Sequence, residues 1–323
     1  MNTVRFGIDL GGTKIEIVAL ADYDASPEMV LNSTETLRQE GADTPLYQKR
    51  ITTPQGDYVA TLQAITDLVL EAELKLNVTG TVGIGIPGAV SYKTGRIKNA
   101  NSTCLIGQDL QGDLQKRLQR PIALANDANC FALSEAIEGA AQGAKVVFGV
   151  IIGTGCGGGV VVNGQILNGV NAIGGEWGHN PLPWTEPSDE PLACYCGLKG
   201  CNETFLSGTG LEQHYAKRAG LIESFAEVKS AKEIVALSES GNVIAQQLLK
   251  DYTIWLAKGL ASVINILDPD VIVLGGGMSN VQSLYRDVPK LWQQWVFSDQ
   301  VNTKLVAPKF GDSSGVRGAA WLN

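Results

Sequence analysis

The chain has 323 residues, 44% hydrophobic and 18% charged, which is enough to bury a substantial core and long enough to form two domains. A net charge of −8, with no lysine- or arginine-rich cluster to offset it, argues against a nucleic-acid partner. The start runs straight into a strand pattern, without a charged leader or a long apolar run, so neither a signal peptide nor a membrane span is expected and the six cysteines are expected reduced, in the cytoplasm.

Residues 4–9 form a short apolar run expected to be a buried strand. Asp9-Leu10-Gly11-Gly12-Thr13-Lys14 then turns tightly, and residues 15–20 read as the returning strand. This is not a Walker A loop, because the order is Thr-Lys and a strand follows where a helix is needed. Glycine N–H groups and a threonine hydroxyl in such a turn suit phosphate, although a plain hairpin would need the same glycines. Residues 22–44 are polar without a period and are expected to be a loop; residues 46–51 read as a third strand. Over residues 57–76, Val59, Leu62, Ile65, Leu68, Val69 and Ala72 recur at helical spacing. Residues 83–88 match Gly-x-Gly-x-x-Gly, but residues 89–97 read as a hairpin, so the dinucleotide-binding context is missing. Asn99, Asn101, Ser102 and Thr103 could hydrogen-bond a polyol or simply form a polar loop.

Residues 121–125 read as a strand that runs into Asn126-Asp127 and a helix over 128–138. Asp127 could cap that helix, or present a carboxylate at the strand end where α/β sheets bind ligands. Residues 146–152 are apolar and β-branched, and Gly153-Thr154-Gly155 turns them into a second returning strand. This repeats the form of residues 4–20, and two such hairpins half a chain apart suggest two related α/β domains facing each other. Cys104, Cys130 and Cys156 stand apart and read as buried free thiols.

Between residues 174 and 208 lie His179, one of two histidines, and Cys194, Cys196 and Cys201, three of the six cysteines. Three thiolates and an imidazole complete a tetrahedral zinc set, and four protein ligands make such a site structural. Gly197 and Gly200 would permit the tight turns required. A disulfide would leave one of the three thiols over, and unligated buried thiols are the simplest alternative. Residues 183–192 read as a surface excursion between the ligands, and His214 as an exposed residue on a polar helical stretch. Helices are expected over 208–220, 230–238 and 242–267, and a buried strand over 270–274. Gly275-Gly276-Gly277 would let the backbone pass close to a planar ligand before a helix from 282, and residues 311–320 lead into a final helix.

Gly175-Glu176-Trp177-Gly178-His179, followed by Cys194-Tyr195-Cys196-Gly197-Leu198-Lys199-Gly200-Cys201-Asn202-Glu203, resembles the motif of the ROK family, named for repressors, open reading frames and kinases. With Asn180-Pro181-Leu182-Pro183-Trp184, the resemblance is nearest to that family's bacterial fructokinase and mannokinase branch, and it extends over nearly the whole chain. It implies an actin-like, ribonuclease H-like ATPase fold. Two α/β domains, residues 1–122 and 123–323, would flank a cleft, with the last helix packing back on the first. It implies Asp127 as the base that takes the sugar hydroxyl proton, and Asn101, Asp127, Glu176, His179 and Glu203 as sugar contacts. His179 would also ligate zinc with Cys194, Cys196 and Cys201, its other ring nitrogen turned to the sugar. Asp9, Gly11, Gly12, Thr13 and Lys14 on one side and Gly153, Thr154 and Gly155 on the other would hold the ATP phosphates. Asp9 would reach Mg²⁺ through water, and Gly275, Gly276 and Gly277 would meet the adenosine.

The activity so implied is ATP-dependent phosphorylation of a hexose 6-hydroxyl, fructose first and mannose second, by a cytoplasmic homodimer. A glucokinase or N-acetylhexosamine kinase of the same family is the alternative. The non-enzyme alternative is a sugar-sensing repressor, but such proteins carry a helix-turn-helix domain ahead of the first strand, and this acidic chain starts at that strand. An actin-like ATPase without a sugar substrate would leave Glu176, His179 and Glu203 unexplained.

Overall fold

Residues 11–13 join two strands, β1 (Val4–Leu10) and β2 (Lys14–Ala21), whose antiparallel register runs from Val4 opposite Ala21 to Leu10 opposite Ile15. The structure, a computed structural model, describes residues 4–21, 43–100, 102–221 and 228–322. The expected sugar contact at Asn101 and most of the expected loop at 22–44 fall outside these residues. Packing divides the chain into two units, one of Met1–Ser134, Asn168–Ile173 and Ser313–Asn323, the other of Glu135–Leu167 and Gly174–Asp312.

In the first unit, β3 (Tyr47–Thr52) pairs antiparallel with β2, while β4 (Thr81–Ile86) and β7 (Ile122–Asn126) add parallel strands beyond β1. The order is β3-β2-β1-β4-β7. Parallel neighbours need crossovers, and α1 (Tyr58–Leu76) and α2 (Leu110–Leu118) supply them. The short hairpin β5 (Ala89–Val90) and β6 (Ile97–Lys98) follows β4, which is why the glycine motif there meets no helix.

Asp57 caps α1 by accepting from the Ala60 N–H at 2.9 Å, and Asn77 ends it with φ 51°. Leu62, Ile65, Leu68, Val69 and Ala72 share a core with Phe6, Ile8, Ile17 and Ile84. Val59, grouped with them by spacing, is instead 64% exposed; Thr61 is buried in the first turn, its hydroxyl bonded to the Asp57 carbonyl. On the other face, Val18 and Leu20 meet Val316 and Ala320 of α9 (Ser314–Ala320). A Cβ on Gly7 would lie 2.1 Å from the Val316 carbonyl oxygen, and one on Gly83 1.9 Å from that of Ala319, so only glycine lets α9 lie directly on β1 and β4.

The second unit repeats this plan. β8 (Val146–Ile152) and β9 (Cys156–Val162) form the antiparallel hairpin, β10 (Gln165–Ile166) extends it, and β11 (Val271–Gly275) and β12 (Lys304–Val306) add parallel strands, giving β10-β9-β8-β11-β12. Both sheets therefore have three antiparallel strands followed by two parallel ones, the duplication expected from the two glycine-turn hairpins. The long helix α7 (Val243–Leu267) starts at the Asn242 cap and ends at Asp268, φ 47°, just before Pro269. Its Trp255, Leu256 and Leu260 share the core with Phe148, Val150 and Ile272.

Four further helices complete the unit among the described residues: α4 (Asn202–Leu206), α5 (Gly208–Arg218), α6 (Ala231–Glu239) and α8 (Gln282–Leu291). His214 in α5, expected to be exposed, is only 4% exposed and stacks on Phe205, ring centroids 5.2 Å apart, with Trp255 at 4.8 Å. Leu211, His214 and Tyr215 fall on one helix stripe, and tertiary packing turns that stripe inward although the residues between are polar. Among the described residues, no helix is long and apolar enough to cross a membrane.

Candidate active site

The first glycine turn is fastened to the end of β3. Gly11 N–H donates to the Lys14 carbonyl at 2.9 Å, Thr53 N–H donates to the Thr13 carbonyl at 3.0 Å, and the Thr53 hydroxyl donates to the Gly11 carbonyl at 2.8 Å. Gly12 and Thr13 stay exposed, and a concavity of about 260 Å³ lies beside the turn, lined by Gly12, Thr53, Pro54, Ser102 and Thr103. Thr53 was not singled out from sequence, since it stands 42 residues from the glycine it holds.

Asp9 faces Glu16 across the β1–β2 pair. Burial pushes its carboxyl up to about 6, with the negative charge of Asp127 as the next cause. Asp127 is thereby close enough for its charge to disfavour ionisation of Asp9. Glu16 is itself buried, accepting from Gln48 Nε2 at 2.7 Å and from Arg50 Nη2 at 2.5 Å. Asp127 opens α3 (Asp127–Ile137) directly beyond β7 and is exposed. Asn126 Oδ1 and Asp127 Oδ1 both accept from the Ala128 N–H, and the Asn126 amide donates to the Gly88 carbonyl at 3.1 Å, tying the β7 end to the loop after β4. The cap expected of Asp127 falls instead to Asn126, which accepts from the N–H two residues on, while Asp127 is the first residue of α3 with its carboxylate exposed at the strand end.

In the second unit, Gly153 N–H donates to the Gly155 carbonyl, and the Gly153 carbonyl accepts from Gly208 N–H at the start of α5. Glu203 meets this turn: its Oε2 accepts from Cys156 N–H at 2.9 Å, and a Cβ on Gly155 would lie 2.7 Å from it. Two residues assigned separately from sequence, one to sugar and one to phosphate, thus stand side by side. Gly276, φ 79°, passes so close to β8 that a Cβ would lie 2.5 Å from the Ile152 carbonyl oxygen. The glycines at 153–155 and 275–277 therefore adjoin at one end of the second sheet, whereas Thr154 stays exposed.

Trp177 sets the neighbouring segment. Its ring is buried edge-on against Phe148 and its indole N–H donates to the Gly157 carbonyl at 3.1 Å, which holds Glu176 and His179 on either side while Glu176 stays exposed. The three cysteines lie on a knuckle closed by the Ala193–Lys199 and Pro181–Cys201 bridges, with Gly197 and Gly200 at φ 92° and 72° as their turns require. The ligand atoms of His179, Cys194, Cys196 and Cys201 all lie within 4.8 Å of one another. Cys196 and Cys201 sulfurs are 3.6 Å apart, against about 3.8 Å for two thiolates on a tetrahedral zinc, so the donor set fits that ion in chemistry and spacing. His179 Nδ1 is turned to the Cys194 sulfur at 3.6 Å, and its Nε2 lies 2.9 Å from the Tyr195 hydroxyl.

The excursion over 183–192 is anchored, not free. Asp189 accepts from the Trp255 indole N–H at 2.7 Å and pairs with Lys258 at 3.2 Å, both on α7, while Trp184 stacks on Trp295. Lys258 is almost wholly buried, and hydrogen bonds to the Glu186 N–H, Trp255 and Lys258 hold the Asp189 carboxyl below its usual range despite burial.

A sequence model described as the ROK family matches residues 5–323. An N-acetyl-D-glucosamine kinase of Photobacterium profundum is 38% identical over 98% of both chains, and one of Yersinia pseudotuberculosis is 37% identical over 98% of both. The structure of a ROK hexokinase from Thermus thermophilus superimposes with a TM-score of 0.81 at 28% identity, covering 99% of this chain and 97% of that one.

Proposed function

The chain belongs to the ROK family, and from that premise we propose that it is an ATP-dependent sugar kinase acting on the 6-hydroxyl of N-acetyl-D-glucosamine. The observation that carries the substrate is the 36–38% identity, along nearly the full length, to relatives named as kinases of that sugar. It favours the N-acetylhexosamine alternative over the fructose first expected from the motif. The two hexoses differ by substituents that a few side chains read, so a short motif is a weak guide to substrate.

Asp127, exposed at the start of α3, accepts the proton of the 6-hydroxyl as its oxygen bonds to the γ-phosphorus and the bond to the β–γ bridging oxygen breaks, releasing ADP. The Gly11 and Gly153 N–H groups close the two turns, leaving the N–H groups of Gly12, Thr13, Thr154 and Gly155 to meet the phosphates, with the Thr13 and Thr154 hydroxyls and Lys14 beside them. Asp9 would be the carboxylate that holds Mg²⁺ through water, and that ion would supply charge neutralisation of the triphosphate. Gly275, Gly276 and Gly277 flank the adenosine. Glu203 holds the Cys156 N–H with one oxygen and directs the other to a sugar hydroxyl, and Glu176 and Asn101 complete the sugar contacts; His179, whose Nε2 meets the Tyr195 hydroxyl and not open space as first expected, acts on the sugar through that tyrosine. His179, Cys194, Cys196 and Cys201 hold a structural zinc ion, which stiffens the segment carrying Glu203. The working form is a homodimer, to be checked by sedimentation.

The test is the rate of ADP formation from Mg-ATP with N-acetylglucosamine, N-acetylmannosamine, glucose, fructose and mannose. N-acetylglucosamine should lead in kcat/KM by at least about tenfold. A lead for fructose would return the chain to the first expectation, and no sugar-dependent turnover would overturn the kinase reading.

A further inference from the structure

Tyr195 stands between two of the clustered cysteines, yet its side chain is 80% exposed. The ring packs edge-on against His179, centroids 5.1 Å apart and planes at 90°, and its hydroxyl lies 2.9 Å from His179 Nε2. His179 turns Nδ1 to the sulfur cluster, and an imidazole that gives the lone pair of Nδ1 to a metal carries its proton on Nε2. The phenol oxygen then accepts from Nε2–H, and its own proton must go elsewhere. The hydrogen bond to His179 is the one this hydroxyl makes among the described residues. Glu203 and Glu176 are near enough to act on Tyr195 electrostatically.

This corner therefore offers one directed O–H donor, an exposed aromatic surface, and carboxylates that only accept. An acetamido group is the complement of that set: its carbonyl accepts, its N–H donates, and its methyl is apolar. A hexose with a plain 2-hydroxyl uses neither the aromatic surface nor a dedicated carbonyl donor. We propose that Tyr195 is a specificity-determining residue that reads the 2-acetamido group, its hydroxyl donating to the carbonyl oxygen and its ring covering the methyl. This rests on the kinase reading above, and on Tyr195 being held in place by His179.

The test compares wild type, Tyr195→Phe and Tyr195→Ala, each purified with its metal content measured. Sugar affinity is read by calorimetry and steady-state rates are taken with N-acetylglucosamine and glucose. Tyr195→Phe should weaken N-acetylglucosamine binding and raise its KM about tenfold, the worth of one hydrogen bond, while glucose parameters change less than about threefold and zinc stoichiometry is unchanged. Tyr195→Ala should widen the loss on N-acetylglucosamine again by removing the ring. Equal changes for both sugars, or none in Tyr195→Phe, would overturn the assignment of Tyr195 alone. A wild-type protein that turns over glucose or fructose better than N-acetylglucosamine overturns the substrate reading itself, and with it this proposal.

Discussion

The buried His214 makes stability depend on pH in a direction that can be worked out. Its ring is closed in by Phe205 and Trp255, with Arg218, Lys217 and Glu190 as the charges acting on it, and burial pushes its pKa down from 6.5 to about 4. The folded state thus binds fewer protons than the unfolded state between these values. The stability contribution is fully present above pH 6.5 and is lost as pH falls toward 4. A displacement of that size is worth about 3 kcal/mol in full, of which about 2.5 kcal/mol should be gone by pH 4.5. His214→Leu keeps volume but removes a bond to the Thr204 backbone, so the variant should be about 1 kcal/mol less stable at pH 8. It should be more stable than wild type at pH 4.5, the two profiles crossing near about pH 6. Urea unfolding of both proteins across this range, with chelator present so that metal loss does not enter the difference, measures it. A difference between the two that does not change with pH would refute the claim that His214 is buried neutral.

Asp127→Asn should lower kcat by about 10²- to 10⁴-fold with an unchanged melting temperature, read by coupled ADP assay and calorimetry. Stripping metal with a chelator, or replacing Cys196 by Ser, should release one zinc per chain by elemental analysis and lower the melting temperature. Asp9→Asn should abolish Mg-ATP turnover yet raise stability at pH 7.5. A carboxyl raised to about 6 contributes stability that is present below pH 4 and lost as pH rises through 6, so removing its charge returns up to about 3 kcal/mol, measured by urea unfolding. Lys258→Met alone should cost about 1.5–3 kcal/mol, because Asp189 loses its charged partner but keeps its bonds from the Trp255 indole and the Glu186 N–H, and Lys258→Met with Asp189→Leu should cost clearly less, a comparison that a double-mutant cycle makes directly.

Much of the architecture and of the candidate site was legible along the chain because its determinants are local. An apolar run, a glycine turn and a returning run are contiguous in both hairpins, and the duplication they suggest recurs in the two sheet orders. The cysteine cluster was legible for the same reason: three thiols within eight residues, with glycines where the backbone needs positive φ, specify their own convergence. Spacing failed where partners are distant. It counted Val59 among core residues, since a period of 3.6 cannot say which edge of a helix stripe the sheet will cover. It left His214 in water, because a polar helix face becomes core only when Phe205 and Trp255 arrive from elsewhere in the chain.

The amino-acid order by itself determined the strands, the turns and the cysteine knuckle, since each depends on neighbours within about ten positions. Only the tertiary structure decided which polar groups became partners. Thr53 fastened to the first glycine turn, Arg50 to buried Glu16, Lys258 to Asp189, Glu203 to the second glycine turn and Tyr195 to His179 are separated by 16 to 69 residues. A buried charge or donor is tolerated only when its partner is delivered by the fold, so these pairings have no signal at either end of the sequence that bears them.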